Sequence, residues 1–228
     1  MLMNAAWIVL LLWVLFAATH TVLCHPPVRA PLVSRLGLRG YLLLYSLVAL
    51  ATFVPLVWVF FASRTAHTVP LPVLVQTPGI WWLTMALMGV AILLLVLGFS
   101  RPNPVSVLMN RSGAAAAGAL RITRHPAFMG VALMGAAHLL VNHSLLDRVF
   151  FGGLLLYALL GCAHQDWRRR QAGEPGTREY FAETSFLPFV AILQGRNRLV
   201  LRELNPLALV LAVLLFGLIF LFHHRVMG

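Results

Sequence analysis

Apolar residues along this chain come in long unbroken runs, not in the alternation of a strand or the narrow stripe of a surface helix. Six runs approach the ~20 residues that a helix needs to cross a bilayer core. They are Ala5–Cys24, Tyr41–Ala62, Ile80–Ser100, Pro126–Val141, Val149–Ala163 and Pro206–Phe222. The fourth and fifth are short, and the pattern predicts that they extend into their shared connector, Asn142–Arg148. No arginine or lysine precedes the first run, and no small-x-small cleavage site stands before Pro26-Pro27. It is therefore expected to be a retained helix and not a signal peptide. The predicted fold is all-α, a single domain over residues 1–228 built as a bundle of six transmembrane helices.

The polar positions lie between these runs, and most of their charge is arginine. The expected loops one, three and five hold fourteen arginines, and the other loops and the tail hold three, Arg64, Arg148 and Arg225. This bias predicts cytoplasmic loops one, three and five and puts both termini outside, in the periplasm of a bacterial inner membrane. Loop five, His164–Asn205, is the only sizeable polar stretch. Within it Glu174-Pro175-Gly176 reads as a turn, Thr177–Glu183 as a short amphipathic helix, and Phe186–Leu193 as an apolar segment lying at the interface.

Composition agrees. Apolar residues make up 61% of the 228 and charged residues 10%, against roughly 45–50% and about 25% in soluble domains. A water-soluble globule and a disordered chain are both excluded. The net charge of +11 is spread between apolar runs and not gathered on a polar domain, so nucleic acid is not an expected partner. Membrane lipid is. The two cysteines, Cys24 and Cys162, fall at cytoplasmic helix ends and are expected to be reduced and to behave as small buried hydrophobes.

Ionisable groups inside a membrane are costly and mark function by default, which directs attention to the nine histidines. His25, His67, His223 and His224 occupy loops or the tail and need no special role. His20, His125, His138, His143 and His164 remain. His138 lies about 12 residues, or roughly 18 Å, into the fourth helix, with no acid near it in sequence. It reads either as an imidazole bonded to a carbonyl or hydroxyl, or as a metal or haem ligand. His20 and Cys24 share one helix face and fall level with Cys162 and His164, although an i, i+2 pair splays too widely for a tetrahedral zinc site.

Arg121-Ile122-Thr123-Arg124-His125-Pro126 precedes the fourth helix. Proline suits the first helical position, where free N–H groups and the helix dipole favour an anion. Arg121 and Arg124 add forked donors. The segment reads either as a site for a haem propionate, a cofactor carboxylate or a lipid head group, or as topological arginines on lipid phosphate. Gly130, Ala132, Gly135, Ala136 and Ala137 follow, allowing close approach of a helix or a flat ligand. Asp166 and Arg168–Arg170 are expected to form a solvated cap on the fifth helix.

These segments together resemble a known family. His20 is followed by Val28-Arg29 and Leu36-Gly37-Leu38-Arg39-Gly40-Tyr41. Leu120-Arg121-Ile122-Thr123-Arg124-His125-Pro126 continues through Gly130 to Ala136-Ala137-His138-Leu139. Asp166, Arg168 and Arg169 precede Phe181, Thr184-Ser185, Pro188-Phe189, Ala191-Ile192 and Gly195-Arg196. In these the chain resembles the NnrU family of membrane proteins, on the branch close to the 15-cis-zeta-carotene isomerases. The resemblance implies an inner-membrane protein linked to denitrification and nitric oxide metabolism, with haem b as cofactor. It implies haem iron held by His20 and His138, and Arg121, Arg124, His125 and Gly130 as cofactor-binding residues. The isomerase relatives carry an alternative cysteine ligand three residues before the second histidine, where this chain has Gly135. Carotenoid isomerisation is thus one alternative. Another is methyl transfer, since isoprenylcysteine and phospholipid methyltransferases also bind S-adenosylmethionine at an Arg-His-Pro…Gly element and would need Asp166 with Glu179 or Glu183. Depth along the helices makes His164 the substitute ligand. The expected partners are lipid, a hydrophobic small molecule and nitrogen-oxide pathway proteins.

Overall fold

The computed structural model describes residues 2–64, 77–105 and 115–227, without the side chains of 2–4 and 223–227. His67 and Arg111, and the side chains of His223, His224 and Arg225, lie outside that set. Among the described residues the regular structure is all helical, without strands. The helices are α1 (Leu2–Cys24), α2 (Pro26–Arg64), α3 (Pro78–Phe99), α4 (Ala119–Ile122), α5 (Pro126–Val141), α6 (Leu145–Ala172), α7 (Thr177–Glu183), α8 (Val190–Leu193) and α9 (Pro206–Met227).

Four of these are long and apolar enough to span a membrane: α1 from Ala5, α2, α3 and α6. Of the six expected crossings these four meet that length; α5 is a shorter apolar helix, and α9 is apolar over Pro206–Phe222. At 16 residues, α5 is about 24 Å long, against a core of about 30 Å. The extension expected of both short runs happens in only one. Asn142 ends α5 in extended conformation. Ser144 then caps α6, accepting from the Asp147 amide at 3.0 Å and donating to its carboxylate at 2.6 Å. That cap satisfies one of the N–H groups that a helix start leaves open. At its other end α6 runs past the apolar segment through Arg168–Arg170 to Gly173, whose left-handed φ of 60° closes it.

The expected first loop is also helical. Pro26 and Pro27 supply the fixed φ of a helix start, and α2 continues from them for 39 residues with a kink at Gly37 (φ 67°, ψ 167°). Only glycine adopts that backbone without strain.

The long helices pack in a row: α2 on α1, α1 on α6, α6 on α5, α5 on α3, α3 on α9. The apolar core divides accordingly. Trp13, Leu56, Phe60 and Phe150 fill the space between α1, α2 and α6, where the Phe60 and Phe150 rings stack at 3.9 Å. Small residues set the spacing around α5. A Cβ on Gly130 would lie 2.5 Å from the Ala91 carbonyl oxygen of α3, and one on Gly135 would lie 2.7 Å from the Phe151 carbonyl oxygen of α6. Both glycines therefore serve helix packing, and no ligand slot opens at either.

Candidate functional site

The Arg-Ile-Thr-Arg-His-Pro segment forms the centre of a closed polar clasp. Arg124 and His125 are 7% and 2% exposed, and Asp166, expected in a solvated cap, is also buried. Asp166 projects from α6 to the start of α5. There one carboxylate oxygen accepts Arg124 Nε at 2.8 Å and Nη2 at 2.7 Å, and the other accepts His125 Nε2 at 2.7 Å. Burial pulls the His125 pKa below its ordinary value, against the opposing effects of the Asp166 hydrogen bond and charge. The ring is then a neutral donor to a carboxylate, and its Nδ1 has no partner among the described residues. The solvated cap fails because a lone arginine buried at a helix start needs a counter-charge.

Loop five wraps the same segment. The Arg124 amide donates to Ser185 O and the Phe189 amide to Ile122 O. The Thr123 hydroxyl donates to Phe186 O at 2.7 Å, and Arg124 Nη1 to Thr184 O at 3.1 Å. Phe181 of α7, which forms over the expected residues, lies between the guanidiniums of Arg124 (4.6 Å) and Arg170 (4.9 Å). Arg121 makes a forked pair with Glu203, at 2.6 and 2.8 Å, and also donates to Asn197 at 2.7 Å. The Arg121 hydrogen bond and the Gly118 amide lower the Glu203 pKa to about 2, while the bond to Glu203 raises that of Arg121. The donors read as an anion site are thus occupied by the chain's own carboxylates.

His20 and His138 are not brought together. His138 lies in the last turn of α5 and not at mid-span. Its Nδ1 donates to Met134 O at 2.9 Å, and its ring stacks on Phe151 at 4.3 Å. His20 instead contacts Tyr157 at 6.1 Å, Tyr45 at 4.4 Å and Phe16 at 4.6 Å. Phe151 and Tyr157 are six positions apart on α6, which is about 9 Å of rise and about 240° of rotation. A haem holds its two axial donors about 4 Å apart, since metal–nitrogen bonds are near 2 Å. This pair does not meet that condition.

His20 and His164 do share a site. Both line a groove of about 200 Å³ between α1, α2, α5 and α6, with Phe16, Tyr45, Phe128 and Tyr157 as its aromatic wall and Arg168 at its mouth. His20 Nδ1 and His164 Nε2 are buried without a partner among the described residues. Cys24 also lines the groove and donates its thiol hydrogen to Tyr45 Oη at 3.2 Å. Both cysteines are buried and free. No group of three metal-ligating side chains exists among the described residues, so the His20–Cys24–Cys162–His164 zinc arrangement is not formed. His25, set aside as a loop residue, stacks on Trp167 at 5.2 Å and 2° and lies 6.0 Å from the His164 ring. The sequence signal for it was the helical spacing of His164 and Trp167, which puts both on one face.

The family model described as NnrU protein matches residues 8–228. No curated protein matches the chain, and no solved structure does.

Proposed function

We propose that this chain, which belongs to the NnrU family, binds haem b in the groove that His20 and His164 line, with either imidazole able to ligate the iron. The observation that carries this reading is the pair of unpartnered buried imidazole nitrogens in one aromatic-lined groove. Imidazole is a common haem ligand, aromatic rings suit the macrocycle's faces, and Arg168 offers a cation for a propionate. A pocket for a drug-sized ligand usually measures ~300–1,000 Å³. A groove of about 200 Å³ would leave much of a macrocycle against lipid. Bound haem would supply a redox-active iron, in keeping with the link to denitrification and nitric oxide metabolism that the resemblance implies. The protein's own part is to fix the imidazoles by ring contact, His20 on Phe16 and Tyr45 and His164 on Trp167.

Carotenoid isomerisation receives less support, because the relatives' alternative cysteine falls at Gly135, where a side chain meets the α6 backbone. Methyl transfer is not favoured either, with Arg124, His125 and Asp166 closed on one another.

The test is a visible spectrum of the protein purified from haem-replete cells. His20→Ala and His164→Ala should each lose or shift the Soret band, and His138→Ala should leave it unchanged. A spectrum altered by His138→Ala but not by His164→Ala would reverse the ligand assignment. A colourless wild type would end the haem reading.

A further inference from the structure

The mouth of the His20 groove carries positive charge with nothing to balance it. Arg168, one turn beyond His164, lines the groove, and its Nε and Nη2 are buried without a partner among the described residues. Arg29 of α2 has a buried Nε in the same condition and lies 5.3 Å from the Tyr41 ring. That ring lies 6.0 Å from the ring of Tyr45, which lines the groove.

All six carboxylates of the chain belong to the described residues. Asp166 pairs with Arg124 and His125, Glu203 with Arg121, Asp147 with Arg64, and Glu174 with Arg169. Glu179 and Glu183 line a separate cavity beside α7. None of the six pairs with Arg29 or Arg168. A guanidinium cannot shed its proton, and two half-buried like charges with buried, unpaired nitrogens and no counter-ion are unfavourable. Elsewhere at this end the chain pairs its buried arginines, as Arg124 shows. The exception falls at the opening of an aromatic groove.

We infer that Arg29 and Arg168 form a subsite for the anionic head, carboxylate or phosphate, of an amphiphile whose apolar body lies along the aromatic wall. The inference rests on the same groove as the haem reading, since propionates have this chemistry. It holds equally for an anionic lipid, and it stands or falls separately from the Soret band.

The experiment uses the full chain in detergent and a conjugated polyene acid, cis-parinaric acid, against its methyl ester, with binding followed by energy transfer from tryptophan. Charge-assisted hydrogen bonds should make the acid bind at least about tenfold more tightly than the ester. Arg29→Gln or Arg168→Gln should remove most of that preference, Arg168→Lys should keep part of it, and Arg178→Gln, an exposed arginine at the same end, should leave it intact. Arg168→Gln should also melt no lower than wild type without added lipid, because it relieves a repulsion and breaks no pair. Equal binding of acid and ester by the wild type would overturn the subsite. So would a preference that survives both glutamine variants, or a clear drop in melting temperature for Arg168→Gln. Displacement of the acid by an equal concentration of inorganic phosphate would show that the apolar body contributes nothing, and would overturn the amphiphile assignment.

Discussion

Replacing Asp166 by asparagine tests the polar clasp with little change in shape. The carboxylate accepts from Arg124 on one oxygen and from His125 on the other. An asparagine has one acceptor and one NH₂, so whichever way it flips, a donor faces either the guanidinium or the imidazole. The Arg124 and Asp166 side chains are 8% and 10% exposed, so water gives little relief. Removing one partner of a buried ion pair costs about 3–5 kcal/mol. For a protein of this size, about 2–4 °C per kcal/mol converts that to a fall of roughly 6–20 °C in Tm. The assay is thermal unfolding in detergent at pH 7.5, followed by circular dichroism. The companion is the double variant Arg124→Met with Asp166→Leu. It removes both charges, while Thr184 O keeps its second donor, Arg196 Nη1 at 3.0 Å, so it should melt above Asp166→Asn. An Asp166→Asn protein within about 2–4 °C of wild type, or a double variant no better than the single, would refute the claim that the clasp is held by charge.

Three further outcomes follow from other parts of the molecule. Gly130→Val should destabilise the protein by more than about 2 kcal/mol, because its Cβ meets the backbone of α3, whereas Gly79→Ala, with nothing within 4 Å, should stay within about 0.5 kcal/mol of wild type in the same melt. Glu203 falls to a pKa of about 2 from an ordinary 4.5. Its pairing with Arg121 is therefore fully present above about 4.5 and lost as pH drops towards 2. Hydrogen exchange of the Gly118 amide, which donates to Glu203 at 2.9 Å, should lose protection in that window and nowhere above it, and Glu203→Gln should abolish the effect. Reporter fusions after Arg196 should read cytoplasmic and fusions at Gly228 periplasmic if the arginine bias sets orientation and α5 and α9 both cross; a cytoplasmic C-terminus would mean that one of the two does not.

The fold class and most helix positions were legible because apolar runs of this length have few alternatives in water. Thr177–Glu183 was legible too, from a turn followed by amphipathic spacing. The helix ends were less so. Run length ignores caps, and α6 gains its first turn from Ser144 and its last from residues too polar to count in an apolar window. The helical first loop was hidden for the same reason, being basic and proline-rich. The Arg121–Pro126 segment was recognisable as a place where a helix start collects arginines, but not as a closed one. Its acids lie 42 residues away in Asp166 and 82 in Glu203, a distance that no local pattern spans. His138 drew attention because no acid stands near it in sequence, yet its partner, the carbonyl of Met134, belongs to its own helix.

Satisfaction, more than residue type, separates scaffold from site in this chain. Two of the segments that carry the family resemblance, Arg121–Pro126 and the stretch from Asp166 to Arg196, converge at the start of α5, the opposite end from His138. There Arg121, Arg124, His125, Asp166, Thr184, Ser185 and Arg196 are joined by the bonds that fasten loop five to α5 and α6. A residue held this way resists substitution for stability alone, and its place in a motif says nothing about chemistry. Groups that a fold buries and leaves open are different, since each carries a desolvation cost that no internal contact returns. Among such groups, His20 Nδ1, His164 Nε2 and Arg168 Nε and Nη2 belong to residues that line one groove, and Arg29 Nε is another. A bound group that supplies ligand sites to the imidazoles and negative charge to the arginines would offset all of these costs together, and it would do so without disturbing the clasp. Variants of the clasp should therefore lower stability with the ligand or without it, whereas variants of the groove should change ligand retention and leave the unliganded protein's stability almost unaltered.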